Sequence, residues 1–166
     1  MNIALYGFMG VGKSTVGRLL AEELGYVFID MDKVIEQRMG ISISEIFRRY
    51  GESRFRELES DLVKELAGED DVVIACGGGA VLDPGNVEAL TPSSKLIYLT
   101  ATIPEIIKRT SKDGNRPLLN VPDPEKKINK LIEQRRPVYE KYATVTVDTT
   151  GLTPHELVDE IMEALR

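Results

Sequence analysis

Ile3-Ala4-Leu5-Tyr6-Gly7-Phe8-Met9-Gly10-Val11-Gly12-Lys13-Ser14-Thr15 is the stretch that decides the fold. A short apolar run stops at a glycine, a glycine-rich loop follows, and Val16, Leu19, Leu20 and Leu24 then recur at helical spacing. The run suits a buried strand, the spacing an amphipathic helix, and Gly25 stands where a C-terminal cap belongs. Gly7 to Ser14 match G-x-x-x-x-G-K-[ST]. In a strand–loop–helix setting this pattern has a physical purpose. Glycines let backbone N–H groups turn inward around an anion, and the helix N-terminus adds a favourable dipole. The N–H groups from Gly10, Val11 and Gly12 through Lys13, Ser14 and Thr15 are therefore expected to cradle the phosphates of a nucleoside triphosphate, ATP or GTP. Lys13 would reach the β- and γ-phosphates, and the Ser14 hydroxyl would ligate Mg²⁺. A GTPase would need switch segments and a guanine-reading Asn-Lys-x-Asp motif, which the sequence lacks.

Outward from this loop, strands and helices keep alternating. Val27 to Ile29, Val72 to Ala75, Leu96 to Leu99 and Thr144 to Val147 read as strands. Ser42-Ile43-Ser44-Glu45 has capping-box spacing and opens a helix expected to stop near Gly51; Phe55, Leu58, Leu62 and Leu66 mark the next. Asp123 and Pro124 open another helix, and Thr153-Pro154-His155-Glu156 the last. Alternation of this kind implies an α/β fold with a parallel sheet covered by helices on both faces. Residues 1–166 are expected to form one domain. The polar stretch Ser111 to Pro124, with Gly114 and three prolines, is expected to be a lid loop.

Composition narrows the function. Lys and Arg total 21 against 27 Asp and Glu, a net charge of −6, which argues against a nucleic-acid partner bound by broad phosphate neutralisation. Met1 to Gly12 and Val72 to Leu82 carry no charge but are too short for a bilayer span of about 20 residues, so no membrane association is expected. The first basic residue is Lys13, so no signal peptide is expected. The single Cys76 cannot form an internal disulfide or a thiolate metal cage and reads as a buried packing residue. The expectation is a cytoplasmic monomer. His155, in the first turn of the last helix, reads as a surface residue.

A second set of residues describes an acceptor. Asp30 and Asp32 lie at the carboxyl end of the second strand, the edge where α/β sheets collect ligands. If both are extended they point to opposite sides. Asp30 would then support Mg²⁺ through water and Asp32 would accept a hydrogen bond from a substrate hydroxyl; alternatively Asp32 caps the helix beginning at Lys33. Arg56 lies beside an apolar stripe and can pair with Glu59, either to fix its fork or merely as a surface pair. Arg135 falls on the face defined by Ile128, Leu131, Ile132, Val138, Tyr139 and Tyr142, so it needs a partner or must snorkel. Gly77-Gly78-Gly79 would let a ligand approach the backbone or form a merely flexible turn, and Arg116 in the expected lid suggests stabilisation of charge on a transferring phosphoryl group, or else a solvated loop charge. Lys13, Asp32 and Arg116 are the candidate catalytic residues. Two arginines for a carboxylate, an aspartate for hydroxyls and a backbone nest suit a small hydroxy acid.

The sequence resembles the shikimate kinase family along nearly its whole length. The resemblance rests on Gly7 to Thr15, Asp30-Met31-Asp32, Phe55-Arg56, Gly77 to Gly79, Arg116-Pro117-Leu118-Leu119 and Arg135-Arg136-Pro137-Val138-Tyr139. It implies a nucleoside-monophosphate-kinase-like fold with a five-stranded parallel sheet of order 2-3-1-4-5, and ATP-dependent phosphorylation of the shikimate 3-hydroxyl on the route to chorismate and aromatic amino acids. It further implies that Asp32, Arg56, Gly78 and Arg135 hold shikimate, that Arg116 contacts ATP and that Ser14 binds Mg²⁺. One departure is that Asp148 to Thr153 contain no arginine, where some members place one near the adenine. A gluconate-type kinase and a non-catalytic nucleotide-binding module are the rival readings.

Overall fold

A computed structural model describes residues 1–110 and 123–166 of the chain. The elements run β1 (Asn2–Tyr6), α1 (Lys13–Leu24), β2 (Val27–Asp30), α2 (Met31–Met39), α3 (Ile43–Ala67), β3 (Val72–Ala75), a 3₁₀ turn (Ala80–Leu82), α4 (Pro84–Leu90), β4 (Ser94–Thr100), α5 (Ile103–Thr110), α6 (Pro124–Tyr142), β5 (Val145–Asp148) and α7 (Pro154–Ala164). The five strands form one parallel sheet of order β2-β3-β1-β4-β5. This is the α/β architecture and strand order expected above. The lid expected over Ser111 to Pro124 lies outside the described residues except at its last two positions, and Arg116 lies outside them altogether.

β1 is buried along its whole length, and its side chains alternate between two cores. Ala4 and Tyr6 join Met31, Ile35, Phe55, Leu62 and Leu66 from α2 and α3 on one face. Ile3 and Leu5 join Val16, Leu20, Ile106, Ile128 and Ile161 from α1, α5, α6 and α7 on the other. The period of two along the strand thus explains why helices cover both faces.

Helix ends follow local chemistry. Gly25 and Gly40 cap α1 and α2 in the left-handed conformation, with φ of 71° and 72°. Thr153 and Glu156 complete a reciprocal capping box at α7. At α3 only half the box forms: Ser42 accepts from the Glu45 N–H, while the Glu45 carboxylate turns to Arg48 and Arg49. Gly51 (φ 84°, ψ 165°) interrupts α3 where the first helix is expected to stop, so the chain bends there before Phe55. Among the described residues, no helix is long and apolar enough to cross a membrane.

The order 2-3-1-4-5 places β1 between β3 and β4, so the carboxyl ends of β1 and β3 lie side by side. The glycine loop leaves one and Gly77 to Gly79 leave the other. Gly7 is required sterically at the first of these exits: its φ is 149°, and a Cβ there would run into the Leu99 carbonyl oxygen. Gly7→Ala is expected to destabilise by about 1–3 kcal/mol or more, because the obstacle is backbone. That predicts a drop of several degrees in Tm by calorimetry; an unchanged Tm would mean the loop has room to shift.

Candidate active site

The loop between β1 and α1 winds through left-handed glycines, Gly10 (φ 81°) and Gly12 (φ 89°). Gly12 is the N-cap of α1 and supplies no side-chain oxygen, so the first N–H groups of α1 have no side-chain cap. Such a terminus is open to an anion. The Lys13 ammonium donates to the carbonyls of Gly7 (2.8 Å) and Phe8 (3.4 Å), which places it inside the loop's own curve. The Ser14 hydroxyl donates to Asp30 Oδ2 at 2.8 Å.

Asp30 ends β2 and caps α2 by accepting from the Lys33 N–H at 3.3 Å. Two expectations are corrected here. The two aspartates are not extended neighbours on opposite sides, because α2 begins at Met31 and Asp32 lies in its first turn. Nor does Asp32 cap the helix, since Asp30 fills that role. Asp32 Oδ1 instead lies 3.0 Å from where a Cβ on Gly77 would stand.

Gly77 to Gly79 are the meeting point of five side chains, four of them charged. A Cβ on Gly77 would be 2.9 Å from Glu59 Oε2 as well as 3.0 Å from Asp32. One on Gly78 would be 3.3 Å from Arg135 Nη1 and 3.7 Å from the Gly7 carbonyl. One on Gly79 would overlap the Arg56 guanidinium, at 2.6 Å from Cζ. The glycines therefore admit charged side chains from α2, α3 and α6 to the backbone beside the phosphate loop. The convergence brings Asp32, Arg56, Gly78 and Arg135 together.

Arg56 and Glu59 are not a surface pair. Arg56 Nη1 donates to Glu59 Oε1 at 2.9 Å, Nη2 reaches Glu52 at 3.4 Å, and the guanidinium lies 5.3 Å over the Phe55 ring. Glu59 is 1% exposed, so the inner half of the pair is buried. Burial pushes its carboxyl above the ordinary 4.5, and Arg56 pulls it part-way back. A raised native pKa means the folded protein binds this proton more tightly than the unfolded chain does. The stability it contributes is thus fully present below pH 4.5 and is lost as the pH rises through the native value. Glu59→Gln is expected to flatten the pH dependence of Tm above pH 4.5; an unchanged slope would assign that dependence to other groups.

Arg135 is half-buried and Arg136 exposed. The Arg135 guanidinium packs 5.6 Å from the Phe8 ring centroid and beside Gly78, so its charged end lies within the site. Tyr139, one turn further along α6, is 2% exposed and donates its hydroxyl proton to the Gly78 carbonyl. Arg109, which the sequence patterns did not single out, closes the opposite end of the loop. It donates to the Gly10 carbonyl (3.1 Å) and to Thr149 Oγ1 (3.1 Å), bridging the phosphate loop to the arginine-free stretch after β5. Cys76 is 1% exposed, and burial pushes its thiol up to about 12, which leaves it an inert packing residue. His155 is exposed, as expected.

Residues 9–166 match the family model described as "Shikimate kinase". The chain belongs to the shikimate kinase family. A shikimate kinase of Thermodesulfovibrio yellowstonii is 45% identical over 162 residues, covering 98% of this chain and 93% of the relative. The structure of shikimate kinase from Acinetobacter baumannii in complex with shikimate superposes with a TM-score of 0.94 at 40% identity, over 99% of this chain and 92% of that one. A gluconokinase from Sinorhizobium meliloti superposes with a TM-score of 0.64 at 22% identity, over 99% of this chain and 90% of that one, which shows a shared fold alone. The gluconate-type rival thus shares the architecture, whereas the family match lies with shikimate kinases.

Proposed function

We infer that the chain transfers the γ-phosphoryl group of ATP to the 3-hydroxyl of shikimate, giving shikimate 3-phosphate and ADP. The observation that carries this reading is the convergence of Arg135, Arg56, Asp32 and Gly78 within one glycine turn beside the phosphate loop. Two guanidiniums and a backbone turn suit a carboxylate, and an aspartate suits hydroxyls. In this reading Arg135 and the Gly78 region grip the shikimate carboxylate, and Arg56 is held by Glu59 to face the same pocket. Asp32 accepts the hydrogen bond of the reacting hydroxyl. Lys13 leaves the loop carbonyls for the phosphates and offsets charge on the transferring group, with Arg116 of the lid aiding it. Arg109, bridging Gly10 and Thr149, borders the proposed adenine side, where some members of the family use an arginine further along the chain.

The Ser14 hydroxyl and the Asp30 carboxylate, 2.8 Å apart, are hard oxygen donors of the kind Mg²⁺ accepts. Among the described residues no group of three or more His, Cys, Asp or Glu is placed to hold a metal. That suits an ion held by one or two protein oxygens and by phosphates, which would neutralise charge between them. Ser14→Ala is expected to raise the Mg²⁺ concentration needed for half-maximal rate about 10-fold, through loss of a direct ligand; an unchanged requirement would remove Ser14 from the metal site. We further propose a cytoplasmic, single-domain monomer.

The reading is tested by identifying the product. Phosphorus NMR of a reaction with ATP, Mg²⁺ and shikimate should show one new phosphomonoester coupled to the proton on C3. A phosphate on another hydroxyl would overturn the assigned geometry.

A further inference from the structure

The reading above leaves Tyr139 without a role, although its hydroxyl reaches the centre of the site. Tyr139 is fixed at three places. Its ring packs against Tyr6 (centroids 5.6 Å apart) and Tyr98 (5.3 Å), which themselves stack at 5.5 Å. Its carbonyl, in the last turn of α6, accepts from the Tyr6 hydroxyl at 2.6 Å. Its own hydroxyl donates to the Gly78 carbonyl. Tyr6 is the last residue of β1, immediately before the phosphate loop.

A tyrosine this buried could be mere packing, but two features point to the site. Positions 135 and 139 are one turn apart on the same face of α6. A hydroxyl that donates its single proton to Gly78 can still accept one, and Arg135 is the cation beside it: Arg135 Nη1 and the Tyr139 hydroxyl stand 3.3 and 3.9 Å from where a Cβ on Gly78 would be. Pro137, between them, removes the N–H that would bond the Glu133 carbonyl, so α6 is weakest in the turn that carries Arg135. The helix therefore needs an anchor there, and Tyr139 anchors it to the substrate turn. The peptide plane adds a consequence. Because a trans peptide directs C=O and the following N–H oppositely, a Gly78 carbonyl held toward α6 turns the Gly79 N–H away from α6.

We propose that Tyr139 is a positioning residue for the substrate carboxylate: its hydroxyl ties Arg135 and the Gly78 peptide into one arrangement before the substrate arrives. The proposal rests on the assignment of the carboxylate to Arg135 and Gly78. Its cost when lost falls on ground-state binding, because the carboxylate's charge hardly changes during phosphoryl transfer.

The test compares Tyr139→Phe with Tyr6→Phe in the full-length enzyme. Each removes one buried hydroxyl bonded to a backbone carbonyl, but only the first touches Gly78. Tyr139→Phe is expected to raise the KM for shikimate about 5- to 10-fold, leaving kcat and the KM for ATP within about twofold. Tyr6→Phe is expected to lower Tm without raising the KM for shikimate. With the methyl ester of shikimate, whose carboxylate is blocked, the Tyr139→Phe penalty in kcat/KM should disappear. An unchanged KM in Tyr139→Phe, an equal rise in Tyr6→Phe, or an undiminished penalty with the ester overturns the proposal. Failure of the wild-type protein to phosphorylate shikimate would instead overturn the functional reading beneath it.

Discussion

Lys13→Met is expected to reduce kcat by about 10²–10³-fold or more while leaving the fold intact. The ammonium donates to the Gly7 and Phe8 carbonyls, on the inner side of the loop where phosphates are expected. Methionine keeps most of the volume and removes the charge. In the role proposed for it the charge acts on a group whose own charge shifts during transfer, so the loss would belong to the transition state and appear in kcat. Stopped or steady-state measurement of ADP release, alongside a thermal melt, checks both halves. Near wild-type turnover in a folded variant would remove Lys13 from the chemistry and with it the assignment of the loop.

The second large effect separates two arginines by kinetic signature. Arg135→Ala is expected to raise the KM for shikimate about 10-fold or more, because charge-assisted contacts to a carboxylate are worth roughly 1.5–3 kcal/mol each. Contacts to a carboxylate whose charge hardly changes during transfer would be lost from ground state and transition state together. Arg116→Ala is expected to depress kcat about 10²-fold, since the partner proposed for it is charge that develops only in transfer. Misplaced substrate also lowers kcat in Arg135→Ala, so the ratio of the two effects is what discriminates. A KM for shikimate unchanged in Arg135→Ala but sharply raised in Arg116→Ala would exchange their roles.

Much of this site is legible in the sequence because the decisive signals are local. The phosphate loop is a contiguous pattern flanked by a strand and a helix, and every part of it lies within a few residues. Arg135 is legible for a different reason: it occupies a slot that the helical period reserves for an apolar side chain. Tyr139 was visible as part of the same buried face, and a buried tyrosine always raises the question of where its hydroxyl goes. The answer, Gly78, lies 61 residues away and requires the fold. Arg109 carried no such signal. Its partners Gly10 and Thr149 are 99 and 40 positions distant, and nothing at the end of α5 separates it from an ordinary surface cation. The aspartate geometry is not legible in the sequence, because a period of two holds only in a strand that continues, whereas α2 starts directly after Asp30. Burial of Glu59 also depends on the tertiary fold: the i, i+3 spacing reveals its partner Arg56 but not that the Gly77 turn covers it.

The most direct measurement is ADP release by the purified protein with ATP and Mg²⁺, monitored by a coupled assay across a panel of acceptors. Shikimate should give a kcat/KM at least about 10²-fold above gluconate, which presents a carboxylate and hydroxyls on a flexible chain, and above nucleoside monophosphates, which present none of the carboxylate. Comparable rates with gluconate, or turnover of nucleoside monophosphates but not shikimate, would contradict the assignment of Arg135, Arg56, Asp32 and Gly78 to a cyclic hydroxy acid.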